Sequence, residues 1–197
     1  MEEIILDLET KKAFSETGKY DPVGLGISYV GICRRDLSGL GKDEFVGFYE
    51  EELKDMWPIL ERAKRIIGFN IIGFDLPVLS AYYHGDTSSF AVLDILQEVK
   101  KQVGHRVSLN AIASETLGVQ KSGSGLDALK YYEQKKLKKL ADYCLMDVRI
   151  TRDVYDYGKK HGHIKFKNKW NRVVRVKVDF SFSKDDEGSK VQMSLGV

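Results

Sequence analysis

Asp7 and Glu9 stand two apart in the run Ile4-Ile5-Leu6-Asp7-Leu8-Glu9. On a strand both acids leave one face while Ile4, Leu6 and Leu8 point to the other. Two acids at a strand end invite a cation, although so short a pattern taken alone reads first as a polar strand terminus. Asp75 follows the phrase Gly68-Phe69-Asn70-Ile71-Ile72-Gly73-Phe74. There it also reads as the N-cap of a helix starting Leu76-Pro77, and capping with one carboxylate oxygen leaves the other free. Tyr143 and Asp147 are four apart, one turn on the same side of a helix. Singly they are a partly buried aromatic with a wet hydroxyl and a solvated helix acid. Four acids from a first strand, a strand-to-helix junction and a late helix converge only if something positive holds them, because like charges repel strongly at low dielectric. A divalent metal is the economical answer, and all-oxygen ligands favour Mg²⁺ or Mn²⁺ over zinc. Two such ions about 3.5–4 Å apart can activate a water and stabilise the leaving oxygen of an in-line phosphoryl displacement.

The elements that must position these groups follow from the hydrophobic pattern. Ile4 to Glu9 predicts a first buried strand, Val23 to Cys33 a second and Phe45 to Tyr49 a third. Glu51 to Arg65 has helical periodicity in which Pro58 starts a turn or a kink. A fourth strand is expected over Arg65 to Asn70, a helix over Asp75 to Tyr83, a fifth strand over Phe90 to Leu93 and a helix over Ile95 to Val103. Ser108 caps a further helix stopping at Gly118, and Ser122-Gly123-Ser124-Gly125 reads as a flexible loop. Lys135 to Lys159 carries Leu137, Leu140, Ala141, Cys144, Val148, Thr151 and Tyr155 at spacings of three and four, the stripe of a long amphipathic helix. Ile164 to Phe182 alternates, with Val174, Val176, Val178, Phe180 and Phe182 on one face, and predicts a hairpin turning near Asn168 to Asn171. Strands leading and helices following give an α/β or α+β domain over residues 1–183, hairpin included, then a flexible tail over 184–197.

The 197 residues are 43% hydrophobic and 30% charged, enough for one folded core, and 31 Lys and Arg against 29 Asp and Glu give a net charge of +2. That balance neither points to nucleic acid nor excludes it. Cys33 and Cys144 make neither a metal-ligand spacing nor a disulfide framework, the Met1-Glu2-Glu3 start is acidic, and no apolar run spans a bilayer. A soluble protein of a reducing cytoplasm is expected, with no membrane role. The histidines (His84, His105, His161, His163) fall outside the acidic motifs and are expected on the surface or in loops.

Asp7-Leu8-Glu9-Thr10, then Asn70 to Asp75, then Tyr143-Cys144-Leu145-Met146-Asp147 resemble, in order, the three exonuclease motifs of the DEDD superfamily. The resemblance covers residues 4 to about 157. Gly68 to Leu79, Ser108-Leu109-Asn110-Ala111-Ile112 and Tyr143 to Val148 resemble the proofreading exonuclease domain of family B DNA polymerases. The histidine branch would place His where Asp142 stands, whereas Tyr143, four before Asp147, is similar to the tyrosine branch. The resemblance implies a ribonuclease H-like fold, a mixed sheet flanked by helices. It implies a 3′–5′ exonuclease releasing nucleoside 5′-monophosphates from the 3′ end of single-stranded DNA, RNA being the alternative substrate. Asp7 would bridge two Mg²⁺ or Mn²⁺ ions, Glu9 and Asp147 would complete the first site, and Asp75 would hold the second largely through water. Tyr143, whose hydroxyl is too weak a base near neutrality, would orient the attacking water. Leu8, Thr10, Asn70 and Phe74 would meet the terminal nucleotide, core packing being an equal reading for Leu8 and Phe74.

The loops Thr10 to Asp21 and Ser122 to Gly125 are expected to border the cleft. Residues 157–178 hold eight Lys or Arg and no acid, with Phe166 and Trp170 interleaved, which suits either a phosphate backbone or a solvated hairpin face. A weakly catalytic nucleic-acid-binding module on the same fold and a metal phosphohydrolase of a small nucleotide are the competing functions. No stretch remains for a polymerase domain, so the chain is expected to act alone or beside a partner protein in replication or repair. Its oligomeric state is not legible.

Overall fold

A computed structural model describes residues 1–17, 21–38, 41–119 and 123–181. Its centre is β1 (Glu2–Thr10), the first strand the sequence predicted. β1 pairs antiparallel with β2 (Ile27–Asp36), which pairs antiparallel with β3 (Glu44–Phe48). On its other edge β1 runs parallel to β4 (Arg65–Gly68), and β4 parallel to β5 (Val92–Asp94). The sheet order is therefore β3-β2-β1-β4-β5, mixed in direction.

The two faces of β1 build two cores. Ile4, Leu6 and Leu8 pack with Leu53, Met56 and Leu60 of α2 (Leu53–Arg62) and with Leu76, Val78 and Leu79 of α3 (Asp75–Leu79). Ile5, on the face of Asp7 and Glu9, packs with α4 (Ile95–Val103), α5 (Leu109–Leu117), the C-terminal half of α7 (Leu137–His161) and the hairpin β6 (His163–Lys167) and β7 (Val173–Lys177). Here α1 denotes Phe14–Thr17 and α6 Gly125–Glu133.

Several expected boundaries move for local reasons. Pro22–Leu25 forms a 3₁₀ turn, so β2 starts at Ile27, and it continues to Asp36 along β1. α2 runs through Pro58 with no break into a turn; the carbonyl that loses its donor belongs to exposed Lys54 and is open to solvent. β4 stops at Gly68 because Asn70, at φ 65°, leaves the extended region. α3 ends at Leu79, short of Tyr83. α6 was not expected: Ser124 and Gly125 belong to its start, where the Ser124 N–H donates to Asp127 Oδ2 at 2.8 Å. Leu137, assigned to the apolar stripe of α7, is exposed at the helix's first residue, and His163 is half-buried against Tyr157 in place of a loop position. The hairpin ends at Lys177; Phe182 and the expected tail 184–197 lie outside the described residues.

Arg65, 1% exposed, fastens the C-terminal segment. Its guanidinium donates to Glu3 Oε1 (3.0 Å), the Tyr155 hydroxyl (2.6 Å) and the carbonyls of Phe180 (2.9 Å) and Ser181 (3.0 Å). Such a buried charge is tolerable only with its donors occupied. Among the described residues no helix is long and apolar enough to cross a membrane.

Candidate active site

Asp7 and Glu9 stand near the C-terminal end of β1, where a register irregularity separates Glu9 from Thr10. Asp147 reaches them from α7, and one carboxylate oxygen from each of the three lies within 4.8 Å of the others. Glu9 is 9% exposed and Asp147 3%. The approach of α7 depends on Gly31, which pairs with Asp7 across β1 and β2. A Cβ on Gly31 would stand 3.1 Å from Cys144 Sγ and from Val148 Cγ2, tighter than ordinary contact, so any larger residue would push the helix or its side chains outward by a few tenths of an ångström. Cys144 is wedged in that contact, its thiol 3.4 Å from the Asp7 carbonyl and 3.7 Å from Asp7 Oδ2. Burial, and then the charges of Asp7, Glu9 and Asp147, push the Cys144 thiol well above its usual range. It stays protonated and serves Asp7 as a donor; it adds no soft ligand.

Asp75 stands outside the group of three. It is the first residue of α3 and not the residue before it, as the capping reading required. Its Oδ1 accepts the N–H of Leu8, the residue between Asp7 and Glu9, at 3.1 Å. Burial first, and the charge of Asp7 second, hold the Asp75 carboxyl well above the usual carboxylate range, while the Leu8 N–H pulls the other way. A cation between the two acids would screen the Asp7 repulsion and outweigh the cost of burial, favouring the ionised form. The donor set of Asp7, Glu9 and Asp147, three carboxylates and no nitrogen or thiolate, suits a hard divalent ion.

Tyr143 is 8% exposed, packed with Tyr29, Ala128, Leu140 and Cys144. Gly123, at φ 99°, passes beside it: a Cβ there would lie 3.3 Å from Tyr143 Cε2. That part of the Ser122 to Gly125 segment therefore does border Tyr143; Ser122 itself and residues 18–20 of the other expected loop lie outside the described residues. Of the four residues expected to meet a nucleotide, Asn70 lines a cleft of about 520 Å³ together with Asp7, Phe69, Arg106, Val107, Ser108, Leu109 and Asp147. Leu8 is buried at 3% in the core of the α2 and α3 face, and Phe74 packs on that core with its ring edge-on to Phe14 (centroids 5.8 Å). Thr10, 8% exposed, donates its hydroxyl to the Lys12 carbonyl.

Three residues at the site carried no role in the sequence reading. Asp94 accepts the N–H groups of Asn70 (2.9 Å), Ile72 (3.1 Å), Leu96 (2.9 Å) and Gln97 (3.2 Å), fixing the turn that leads to Asp75. Its signal was present, an Asp just before the helix at Ile95. Gly31 becomes recognisable only when α7 is laid on it. Arg106, exposed, lines the same cleft as Asp7 and Asp147, and nothing in its sequence surroundings marks it.

The mixed sheet in this strand order, helices on both faces and acids gathered at the end of the central strand define a ribonuclease H-like α/β domain. The chain belongs to the RNase_H superfamily, whose RNase_H_2 profile matches residues 5–158. No curated protein sequence matches it. Among solved structures, the family B DNA polymerase of the hyperthermophilic archaeon Pyrobaculum calidifontis is similar with a TM-score of 0.58 and 17% identity, over 80% of this chain and 24% of the polymerase. E. coli exonuclease I in complex with a 5cy-dT13 oligonucleotide is similar with a TM-score of 0.46 and 14% identity, over 81% of this chain and 41% of that one. At such identities the likeness is one of fold.

Proposed function

We propose that this protein is a two-metal-ion 3′–5′ exonuclease of the DEDD type, tyrosine branch, hydrolysing the terminal phosphodiester of single-stranded DNA. The observation that carries the reading is the convergence of Asp7, Glu9 and Asp147 within 4.8 Å, beside a cleft that also holds Asn70 and Arg106. Asp7, Glu9 and Asp147 would hold one Mg²⁺ or Mn²⁺ and Asp7 with Asp75 the other; when bound, the pair lowers the pKa of a water and stabilises the leaving oxygen. Tyr143 orients that water from α7. The Cys144 thiol, donating to Asp7, keeps that carboxylate turned toward the cleft. Arg106 offsets the charge of the entering phosphate, which the acids alone would repel. Asn70, held by Asp94, presents its amide to the terminal nucleotide, while Leu8 and Phe74, packed in the α2 and α3 core, support the strand end and turn that carry the site, with Thr10 beside them.

The test is the release of mononucleotides from single-stranded DNA and RNA, labelled separately at the 3′ and 5′ ends, with Mg²⁺, Mn²⁺ or chelator. Metal-dependent loss of the 3′ label as a mononucleotide, abolished in Asp7→Ala, is the expected result. Equal rates for Asp7→Ala and wild type with Mn²⁺ overturn the assignment. Binding without hydrolysis indicates a binding module, and hydrolysis of free nucleotides alone indicates a small-molecule phosphohydrolase.

A further inference from the structure

We propose that the β6–β7 hairpin is an arm that grips the sugar-phosphate backbone of single-stranded nucleic acid, joined to the carboxylate cleft through Ser108. The inference rests on the nuclease reading for the cleft, but the hairpin itself lies beyond residues 5–158 that the superfamily profile covers.

The charge pattern comes first. The segment 157–178 takes eight of the chain's 31 Lys and Arg and none of its 29 acids. Pairing puts Lys165 opposite Arg175, His163 opposite Lys177 and Lys167 opposite Val173. Those residues share the outer face, because the alternate pairs Ile164 with Val176 and Phe166 with Val174 pack inward. Lys165 and Arg175, like charges directly across the ribbon, destabilise it, and an anion laid on that face relieves the repulsion. Arg172, Arg175 and Lys177 are exposed cations in this run, and Lys167 reaches Glu115 of α5 at 3.0 Å.

The tip is the second observation. Asn168 Oδ1 accepts the N–H groups of Trp170 (3.0 Å) and Arg172 (3.1 Å), and the Asn168 N–H donates to the Arg172 carbonyl (3.0 Å). This hydrogen-bonded turn presents the Trp170 ring 68% exposed, with Lys169 Nζ 4.5 Å from its centroid. A rigidly displayed indole beside cations is the pairing that stacks a base and holds its phosphate.

Continuity with the cleft is the third. Ser108 lines the cleft beside Asp7 and Asp147, and it also lines a groove of about 390 Å³ formed with Asn110, Ser114, Glu115 and Lys167. The His105 ring lies 6.1 Å from that of Phe166, which sets the distal half of β6 against the loop carrying Arg106. A strand whose 3′ end enters the acids therefore leaves over Ser108, along the polar edge of α5, and meets the hairpin tip.

The experiment measures binding of fluorescent dT20 and dT4 to the full chain in chelator across a salt series, so that no hydrolysis intervenes. Lys169→Glu combined with Arg172→Glu and Arg175→Glu should make the dT20 slope of log K against log salt shallower by about 2, since each phosphate contact on a single strand contributes about 0.7. Trp170→Ala should weaken dT20 about tenfold and Trp170→Phe should restore most of it. Affinity for dT4, too short to span cleft and arm, should change far less. Unchanged dT20 slope with unchanged Trp170→Ala affinity overturns the arm, as does an equal loss for dT4 and dT20. Unaltered melting temperatures establish that the variants are folded. If these signatures appear while the wild type releases no nucleotide with Mn²⁺, the arm stands and the exonuclease reading fails.

Discussion

The backbone N–H of Asn70 donates to Asp94 Oδ1 at 2.9 Å, across 24 residues of sequence, with Asn70 held at φ 65°. The same carboxylate takes the Ile72 N–H and caps α4, so one acid at the end of β5 ties the turn after β4 to the next helix. Asp75 comes at the end of that turn, which makes its position relative to Asp7 a consequence of Asp94. Replacing Asp94 by Ala removes the acceptor of four N–H groups and should cost about 2–4 kcal/mol of stability, since bonds to a charged group are worth roughly 1.5–3 each and a cap about 1. Urea melts check the loss. Nucleotide release should slow at saturating substrate while Mn²⁺ still raises the melting temperature, because Asp7, Glu9 and Asp147 sit on other elements. A variant as active and as stable as wild type removes Asp94 from this role.

Tyr143 and Asp147 are predicted to separate by assay. Asp147→Asn should eliminate the Mn²⁺-induced rise in melting temperature and lower turnover at least 10³-fold, a loss comparable with removal of an electrostatic catalytic group. Tyr143→Phe should keep the metal-induced rise and lose about 10²-fold in turnover, the lower range for a group that handles a proton or positions a water. Calorimetric melts with and without Mn²⁺, run beside the nuclease assay, decide it. Loss of the metal response in Tyr143→Phe counts against a positioning role.

Gly31→Ala tests the close seat of α7. The added methyl meets Cys144 Sγ and Val148 Cγ2 at 3.1 Å, so the helix or the strand must give by a few tenths of an ångström. Overpacking of this kind costs about 1–3 kcal/mol, and a displaced Asp147 should weaken Mn²⁺ binding. The companion Cys144→Ala relieves the contact and should recover part of the metal affinity in the double variant, read by titration calorimetry. Additive losses in the double variant would show that the two positions do not press on each other.

Asp43 gives the pH dependence its clearest sign. The Arg35 guanidinium, bidentate on Asp43 with bonds of 2.9 and 2.8 Å, holds that carboxyl below the usual carboxylate range. A carboxyl depressed in the folded state adds stability that is fully present above its unfolded value near 4 and is lost as pH falls through the folded value. Arg35 also bonds Asp156 of α7, so the cluster clamps β2 to that helix. Asp43→Asn should therefore be about 1 kcal/mol less stable than wild type at pH 7, and the gap should close below pH 4. Parallel urea midpoints for the two proteins between pH 7 and pH 3 would contradict it.

The shared face of Asp7 and Glu9 and the shared side of Tyr143 and Asp147 were legible because spacing sorts them: two apart on a strand shares a face, and four apart on a helix shares a side. The first strand, α4, α5 with its Ser108 and Gly118 ends, and most of α7 were legible for the same reason, since periodicity and caps are local. α6 was hidden by its own start, where Ser124 and Gly125 look like loop yet Ser124 and Asp127 close a capping interaction. The end of β4 was hidden in Asn70, whose left-handed backbone is imposed by Asp94 from another strand.

The order of residues in this chain determined which side chains could bind a hard cation, which strand and helices bear them, and where the basic hairpin falls. Tertiary structure alone decided that β1 is central, that Gly31 admits α7 close enough for Asp147 to reach Asp7, and that Ser108 lines both the cleft holding Arg106 and the groove holding Lys167 of β6. The physical reason is reach: periodicity and capping act over a few residues, whereas the distances that make a site are set by packing between elements far apart in the chain.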